Sequence, residues 1–205
     1  MGFDLSGALL CGGQNSRFPY PKGLIKIGGT TIMEKTLTIF NECFKQVMLS
    51  TNSPEIYFSV APLYENKPVA LIGDVYDTRG PMTGIFSCLL NSHYDKMFVV
   101  ACDMPFVERV AVDLMICFAV DNPDFDAVVP ICEGQPEPLF AIYDKAVLPV
   151  MEKALTAGRK SLTVFLKDIN TKYIDEAAFR AGNSHKKYFI NINTLENLKE
   201  IEDYL

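Results

Sequence analysis

Gly12, Gly13, Arg17 and Lys22 are the first residues along the chain whose types and spacing suit chemistry. They lie in the stretch Leu10-Cys-Gly-Gly-Gln-Asn-Ser-Arg17-Phe-Pro-Tyr-Pro-Lys22. Paired glycines let the backbone approach a ligand closely and present its N–H groups to an anion. Arg17 and Lys22 add positive charge four and nine residues beyond Gly13. That combination suits a triphosphate. A bare Gly-Gly with two solvated cations reads instead as a surface turn, but an apolar run before it and a helical pattern after it favour phosphate binding. The stretch is neither a Walker loop, lacking Gly-Lys-Ser/Thr, nor a G-x-G-x-x-G fingerprint.

Asp103 is the second candidate. It follows the apolar run Phe98-Val-Val-Ala-Cys102 and precedes Met104-Pro105. A carboxylate at the end of a buried strand faces a ligand crevice. Mg²⁺ favours one or two carboxylates together with substrate phosphates. The competing reading of Asp103 is a turn or capping residue before proline. His93 and His185 have no ligand-like neighbours in the chain and read as surface residues. The six cysteines, at 11, 43, 88, 102, 117 and 132, form no C-x-x-C and sit mostly in apolar runs. They read as reduced core thiols of a cytoplasmic protein.

The elements that must hold these groups alternate between strand and helix patterns. Leu5–Leu10 reads as a strand ending in Gly12-Gly13. Met33, Leu37, Phe40 and Phe44 mark one helix face. Strands follow at 46–51 and 69–72, the latter stopped by Gly73-Asp74. Pro81 opens a helix that buries Ile85, Phe86 and Leu89. The run 97–101 has no polar alternation, as in a central parallel strand. Val107, Val110, Leu114 and Cys117 give another helical stripe. Further strands are read at 126–130 and 139–143, and a helix over 147–155 closes at Gly158. A late strand is read at 187–192, with Thr194 capping a final helix. This alternation predicts an α/β protein: three layers, α/β/α, with a mostly parallel, Rossmann-like doubly wound sheet. No repeat or linker interrupts it, so one domain is expected over 1–205.

In such sheets ligands bind beyond the carboxyl ends of the strands. That rule selects 12–22, Ser50 to Asn52, Gly73-Asp74 and Cys102-Asp103. Asn191 and Asn193, two apart in the late strand reading, would share one face. Paired amides there suit an anionic acceptor, unless they only bond neighbouring backbone.

Composition narrows the function. Apolar residues are 49% and charged residues 21%, ordinary for a globular protein. A formal charge of −6 argues against coating nucleic acid. No apolar run approaches the roughly 20 residues that span a bilayer. The start, Met-Gly-Phe-Asp-Leu-Ser-Gly-Ala-Leu-Leu-Cys, has no basic leader and reads as a strand, so a cytoplasmic setting with neither nucleic acid nor membrane as partner is expected.

At these residues the chain resembles the molybdenum cofactor guanylyltransferases, within the nucleotidyltransferase group. The match runs through Leu10-Cys-Gly-Gly13, Ser16-Arg17 and Lys22. It continues in Gly80-Pro-Met-Thr-Gly84, Cys102-Asp-Met-Pro105, Pro136-Glu-Pro-Leu139 and Asn191-Ile-Asn-Thr194. Pro19 and Leu195 depart from the family pattern, and Pro19 removes a backbone donor. The resemblance implies transfer of GMP from GTP to molybdopterin with Mg²⁺. It assigns Asp103 to the metal, and Arg17 and Lys22 to the triphosphate. It assigns Leu10, Cys11, Gly12, Gly13, Asp74 and Gly80 to base and ribose, with either Ser50 or Asn52 meeting the base. Asn191 and Asn193 fall to the acceptor side. Molybdoenzymes or other proteins of cofactor biosynthesis are implied as partners. A cytidylyl or sugar-phosphate transferase is the nearest alternative, and a non-catalytic nucleotide-binding delivery protein the more distant one. Leu10-Cys-Gly-Gly13 and Asn191-Ile-Asn-Thr194 favour guanine and the pterin.

Overall fold

The computed structural model describes residues 4–12, 20–58, 68–78, 80–181 and 188–192. The sequence-predicted site residues Gly13, Arg17 and Asn193, and the final helix after Thr194, lie outside them.

Strand β1 (Leu5–Leu10) is buried along its whole length because it runs between two parallel neighbours. On one side lies β4 (Gln46–Ser50), which pairs in turn with β5 (Val69–Ile72). On the other lies β6 (Lys96–Ala101). A small hairpin of β2 (Lys26–Ile27) and β3 (Thr30–Thr31) stands apart from this sheet.

Helix α1 (Ile32–Cys43) begins in a capping box, where the Thr31 hydroxyl accepts from the Glu34 N–H and the Glu34 carboxylate accepts from the Thr31 N–H. The next helices are α2 (Pro54–Tyr57), α3 (Pro81–Asn91) and α4 (Arg109–Asp121). After α4 the chain adds β7 (Ala127–Cys132), β8 (Gln135–Pro136) and β9 (Phe140–Asp144). Helices α5 (Leu148–Thr156) and α6 (Leu162–Phe165) and strand β10 (Thr171–Ile174) follow.

The strand order is β10-β7-β9-β6-β1-β4-β5, with β8 beside β7. Among the described strands of this sheet, only β9, against both β6 and β7, and β8 against β7 run antiparallel. Two cores sandwich the sheet. Leu37, Phe40 and Phe44 join Val112 and Met115 of α4 on one face. Ile85 and Leu89 of α3 join Met151 and Leu155 of α5 on the other. The expected mostly parallel three-layer α/β fold is therefore present.

Three expectations need correction. The stripe on α4 is Ala111, Val112, Met115 and Ala119, whereas Val110 is 52% exposed and Cys117 is exposed. The two small alanines lie against the sheet, and periodicity counted over the larger apolar residues missed them. Second, no strand forms over 188–192. Consecutive Tyr188 and Phe189 are both buried, which a strand with one core face does not allow, and the Ile192 N–H donates to the Asp103 carbonyl instead. Third, Cys88 alone of the six thiols is fully buried; Cys11, Cys43, Cys102 and Cys132 are half-buried against the core, and Cys117 is exposed.

Candidate active site at the sheet edge

Because β1, β4, β5 and β6 run parallel, their carboxyl ends open on one edge of the sheet. The ladders extend one residue past those ends. The Cys11 N–H donates to the Ser50 carbonyl at 2.8 Å, that of Thr51 to Ile72 at 2.8 Å, and that of Cys102 to Leu10 at 3.0 Å. These bonds hold the first residue of each loop in step with its neighbour. They enclose a cavity of about 420 Å³, a volume suited to a small-molecule ligand. Leu10, Cys11, Gly12, Lys22, Ser50, Asn52, Asp74, Gly80 and Asp103 all line it. The four segments selected by the strand-end rule therefore meet in one place.

Lys22 opens a short helical turn after Pro21, closed by the Ile25 N–H on the Lys22 carbonyl. Its ammonium lies 3.0 Å from a carboxylate oxygen of Asp103. Asp103 sits in a turn that the Met104 N–H closes on the Ala101 carbonyl. Its own carbonyl accepts from Ile192, so the carboxylate is carried on backbone fixed at two points.

On the β4–β5 side, Asn52 and Asp74 are bonded twice. The Asn52 amide donates to the Asp74 carboxylate at 2.6 Å, and the Asp74 N–H donates to the Asn52 side-chain oxygen at 2.9 Å. Ser50 is different. It is 2% exposed and lies under α3. A Cβ on Gly84 would stand 2.8 Å from its hydroxyl, so only glycine lets α3 approach β4 this closely. Burial pushes the neighbouring Cys88 thiol up to about 12, the Asp74 charge adding to this and the Ser50 hydroxyl opposing it. Gly80 starts α3 at φ +152°, with Pro81 at its first turn, and brings the helix start to the cavity.

Glu137 stands behind the lining residue Leu139. Its N–H donates to the Pro130 carbonyl at 2.9 Å, and its carboxylate accepts from the Leu139 N–H at 3.1 Å. The Asn191 amide donates to its other oxygen at 3.4 Å. Burial raises the Glu137 carboxyl above its usual range, the two hydrogen bonds pull it back, and the Asp103 charge adds to the rise. Asn191 is thus tied to the Asp103 side of the cavity through Glu137, not through a strand.

Sequence reasoning missed Tyr57. It is 2% exposed, lines the cavity and belongs to the core cluster against which Cys11 packs. The signal available was Ser53-Pro54, which marks a helix start with proline at its first position.

As to a metal, the described residues contain no group of three or more His, Cys, Asp or Glu arranged to hold one. Asp103 and Glu137 supply hard oxygen donors in the same region. That set fits a cation such as Mg²⁺, which takes one or two carboxylates and completes its shell with phosphate oxygens and water. No described helix is long and apolar enough to cross a membrane. Of the two histidines, His93 is exposed and His185 lies outside the described residues.

The model of the MobA-like NTP transferase domain matches residues 7–172, a span that contains every described residue lining this cavity. The chain belongs to that family. A probable molybdenum cofactor guanylyltransferase from Methanosarcina mazei is 31% identical over 202 residues, covering 96% of this chain and 89% of the relative. One from Peptoclostridium acidaminophilum is 28% identical, covering 95% and 87%. Among solved structures, molybdopterin-guanine dinucleotide biosynthesis protein A from Archaeoglobus fulgidus is similar. It has a TM-score of 0.81 and 26% identity, with 98% of each chain covered.

Proposed function

We propose that this chain transfers GMP from GTP to the terminal phosphate of molybdopterin. A pterin phosphate oxygen forms the new bond to the α-phosphorus, the bond to the bridging oxygen of the β-phosphate breaks, and pyrophosphate leaves. The observation that carries the reading is the Lys22–Asp103 pair at the shared edge of four parallel strands, in a family of NTP transferases. The relatives named as guanylyltransferases along nearly their full length supply the substrates.

The nucleophile is already an anion at neutral pH, so the site needs no general base. Positioning and charge neutralisation supply the rate. Lys22 turns from Asp103 toward the triphosphate, and Arg17 joins it. Asp103, with Glu137 beside it, would hold Mg²⁺, which would supply charge neutralisation at the α-phosphate. Backbone from Leu10 to Gly13, with Gly80, holds ribose and phosphates. Asp74 accepts from the donor edge of guanine. Asn52, already aligned with Asp74, is better placed to meet the base than Ser50, which α3 covers. Asn191 and Asn193 fall on the acceptor side, and the product passes to molybdoenzymes or to other cofactor-biosynthesis proteins in the cytoplasm.

Pyrophosphate release from GTP, followed with and without molybdopterin, tests the reading. Release should require molybdopterin and Mg²⁺ together. Molybdopterin-independent release, or none at all, contradicts it.

A further inference from the structure

Cys11 and Cys102 follow the paired residues Leu10 and Ala101 of β1 and β6, and the Cys102 N–H continues that ladder onto the Leu10 carbonyl. The two cysteines therefore face each other across adjacent parallel strands. Such strands lie about 4.8 Å apart, inside the Cα separation of about 4.4–6.8 Å that a disulfide spans. Both side chains pack on the same core face, with Met33 and Tyr57. A methyl group built on Gly23 would stand 3.4 Å from the Cys102 Cβ and 3.7 Å from the Cys11 Sγ. Both cysteines line the nucleotide cavity. Cys11 and Tyr57 play no part in the transfer chemistry derived above beyond the Cys11 backbone.

We infer that Cys11 and Cys102 are a reversible modification site, closing under peroxide to a disulfide across the cavity floor that displaces Asp103 and stops nucleotide transfer. In the first step a Cys sulfur attacks a peroxide oxygen, the O–O bond breaks, and one water leaves behind a sulfenic acid. The second sulfur then displaces the sulfenic hydroxyl as a second water. The two sulfurs lose two electrons and two protons in all, and the peroxide takes up both.

An S–S bond of about 2.05 Å draws the sulfurs well inside their contact distance. Cys102 is the first central residue of the turn that carries Asp103, so the carboxylate moves with it. A shift of about 1 Å in a positioned group costs on the order of 100-fold in rate. Burial raises the Cys11 thiol, so its thiolate is scarce and the pair closes slowly. The modification is a response to sustained oxidation, not a fast sensor.

The test uses the full chain, reduced and then incubated with hydrogen peroxide. Free thiols are blocked with N-ethylmaleimide, and an unreduced digest is read by mass spectrometry. A linked Cys11–Cys102 peptide is expected, two hydrogens lighter than its reduced parts. Turnover should fall on the order of 100-fold and return with dithiothreitol. Cys11→Ser or Cys102→Ser should abolish that difference between oxidised and reduced protein, read as GTP binding where a variant turns over poorly. The effect on turnover rests on the proposed transfer reaction, whereas the peptide map does not. Both cysteines remaining open to alkylation after peroxide would overturn the inference. So would a linked peptide with GTP binding and turnover unchanged.

Discussion

Lys22 Nζ lies 3.0 Å from Asp103 Oδ2, although 81 residues separate the two in the chain. A cation assigned to phosphate and a carboxylate assigned to metal neutralise each other before either ligand arrives. The pair is largely buried, with side-chain exposures of 18% and 22%, at the mouth of β1 and β6. Both groups are thereby held where a nucleotide and its cation would separate them.

Asp103→Asn should abolish Mg²⁺-dependent transfer, a loss of at least about 100-fold in kcat, while the far-ultraviolet spectrum is unchanged. Lys22→Ala should weaken GTP binding, and wild-type affinity should fall as salt rises. Near-normal turnover by the first variant, or unchanged GTP affinity in the second, contradicts the assigned roles.

Gly84→Ala should destabilise the fold by about 1–3 kcal/mol, because its methyl group would meet the Ser50 hydroxyl at 2.8 Å. Removing that hydroxyl leaves the Ser50 Cβ at 3.7 Å, an ordinary contact. Urea unfolding of Gly84→Ala, Ser50→Ala and the double variant should show the second change recovering most of the loss. Simple additivity would mean that α3 does not rest on Ser50.

The raised carboxyl of Glu137 gives a pH dependence of stability. Burial favours its protonated form in the fold. Its contribution is complete below its ordinary value of 4.5 and declines as pH rises through the higher folded value. Glu137→Gln cannot ionise. The Tm of the variant relative to wild type should therefore rise as pH increases from 4.5 toward neutrality. A difference that does not vary with pH would show that the carboxyl is not held up by burial.

Asn191→Ala should raise the KM for molybdopterin and leave that for GTP nearly unchanged. Asn191 donates to Glu137 on the Asp103 side, while Asn52 and Asp74 stand on the other. The opposite split would move Asn191 to the nucleotide side.

The central sheet was legible because its strands are short apolar runs stopped by glycine or aspartate. Leu5–Leu10 and Val69–Ile72 fall where the pattern puts them. So was the meeting of Gly12, Lys22, Asn52, Asp74 and Asp103, since parallel strands must end on a common edge. Strand β10, Thr-Lys-Tyr-Ile, escaped because an edge strand carries polar side chains and shows little apolar periodicity. The β2–β3 hairpin escaped because two-residue strands carry no period at all. The Asn191 environment was misread for a different reason. Its neighbours Tyr188 and Phe189 are buried by aromatic packing against Phe179 and Phe140, and Ile192 by Ile25, Ile32 and Phe106, contacts that no sequence spacing announces. The link from Asn191 to Glu137 spans 54 residues and depends on β9 running antiparallel.

The central claim is tested most directly by incubating the protein with molybdopterin, Mg²⁺ and each of the four NTPs, then weighing the products by mass spectrometry. The account predicts one adduct, molybdopterin joined to GMP, formed with GTP and dependent on Asp103. An equal yield from CTP, or no adduct with any nucleotide, would contradict it.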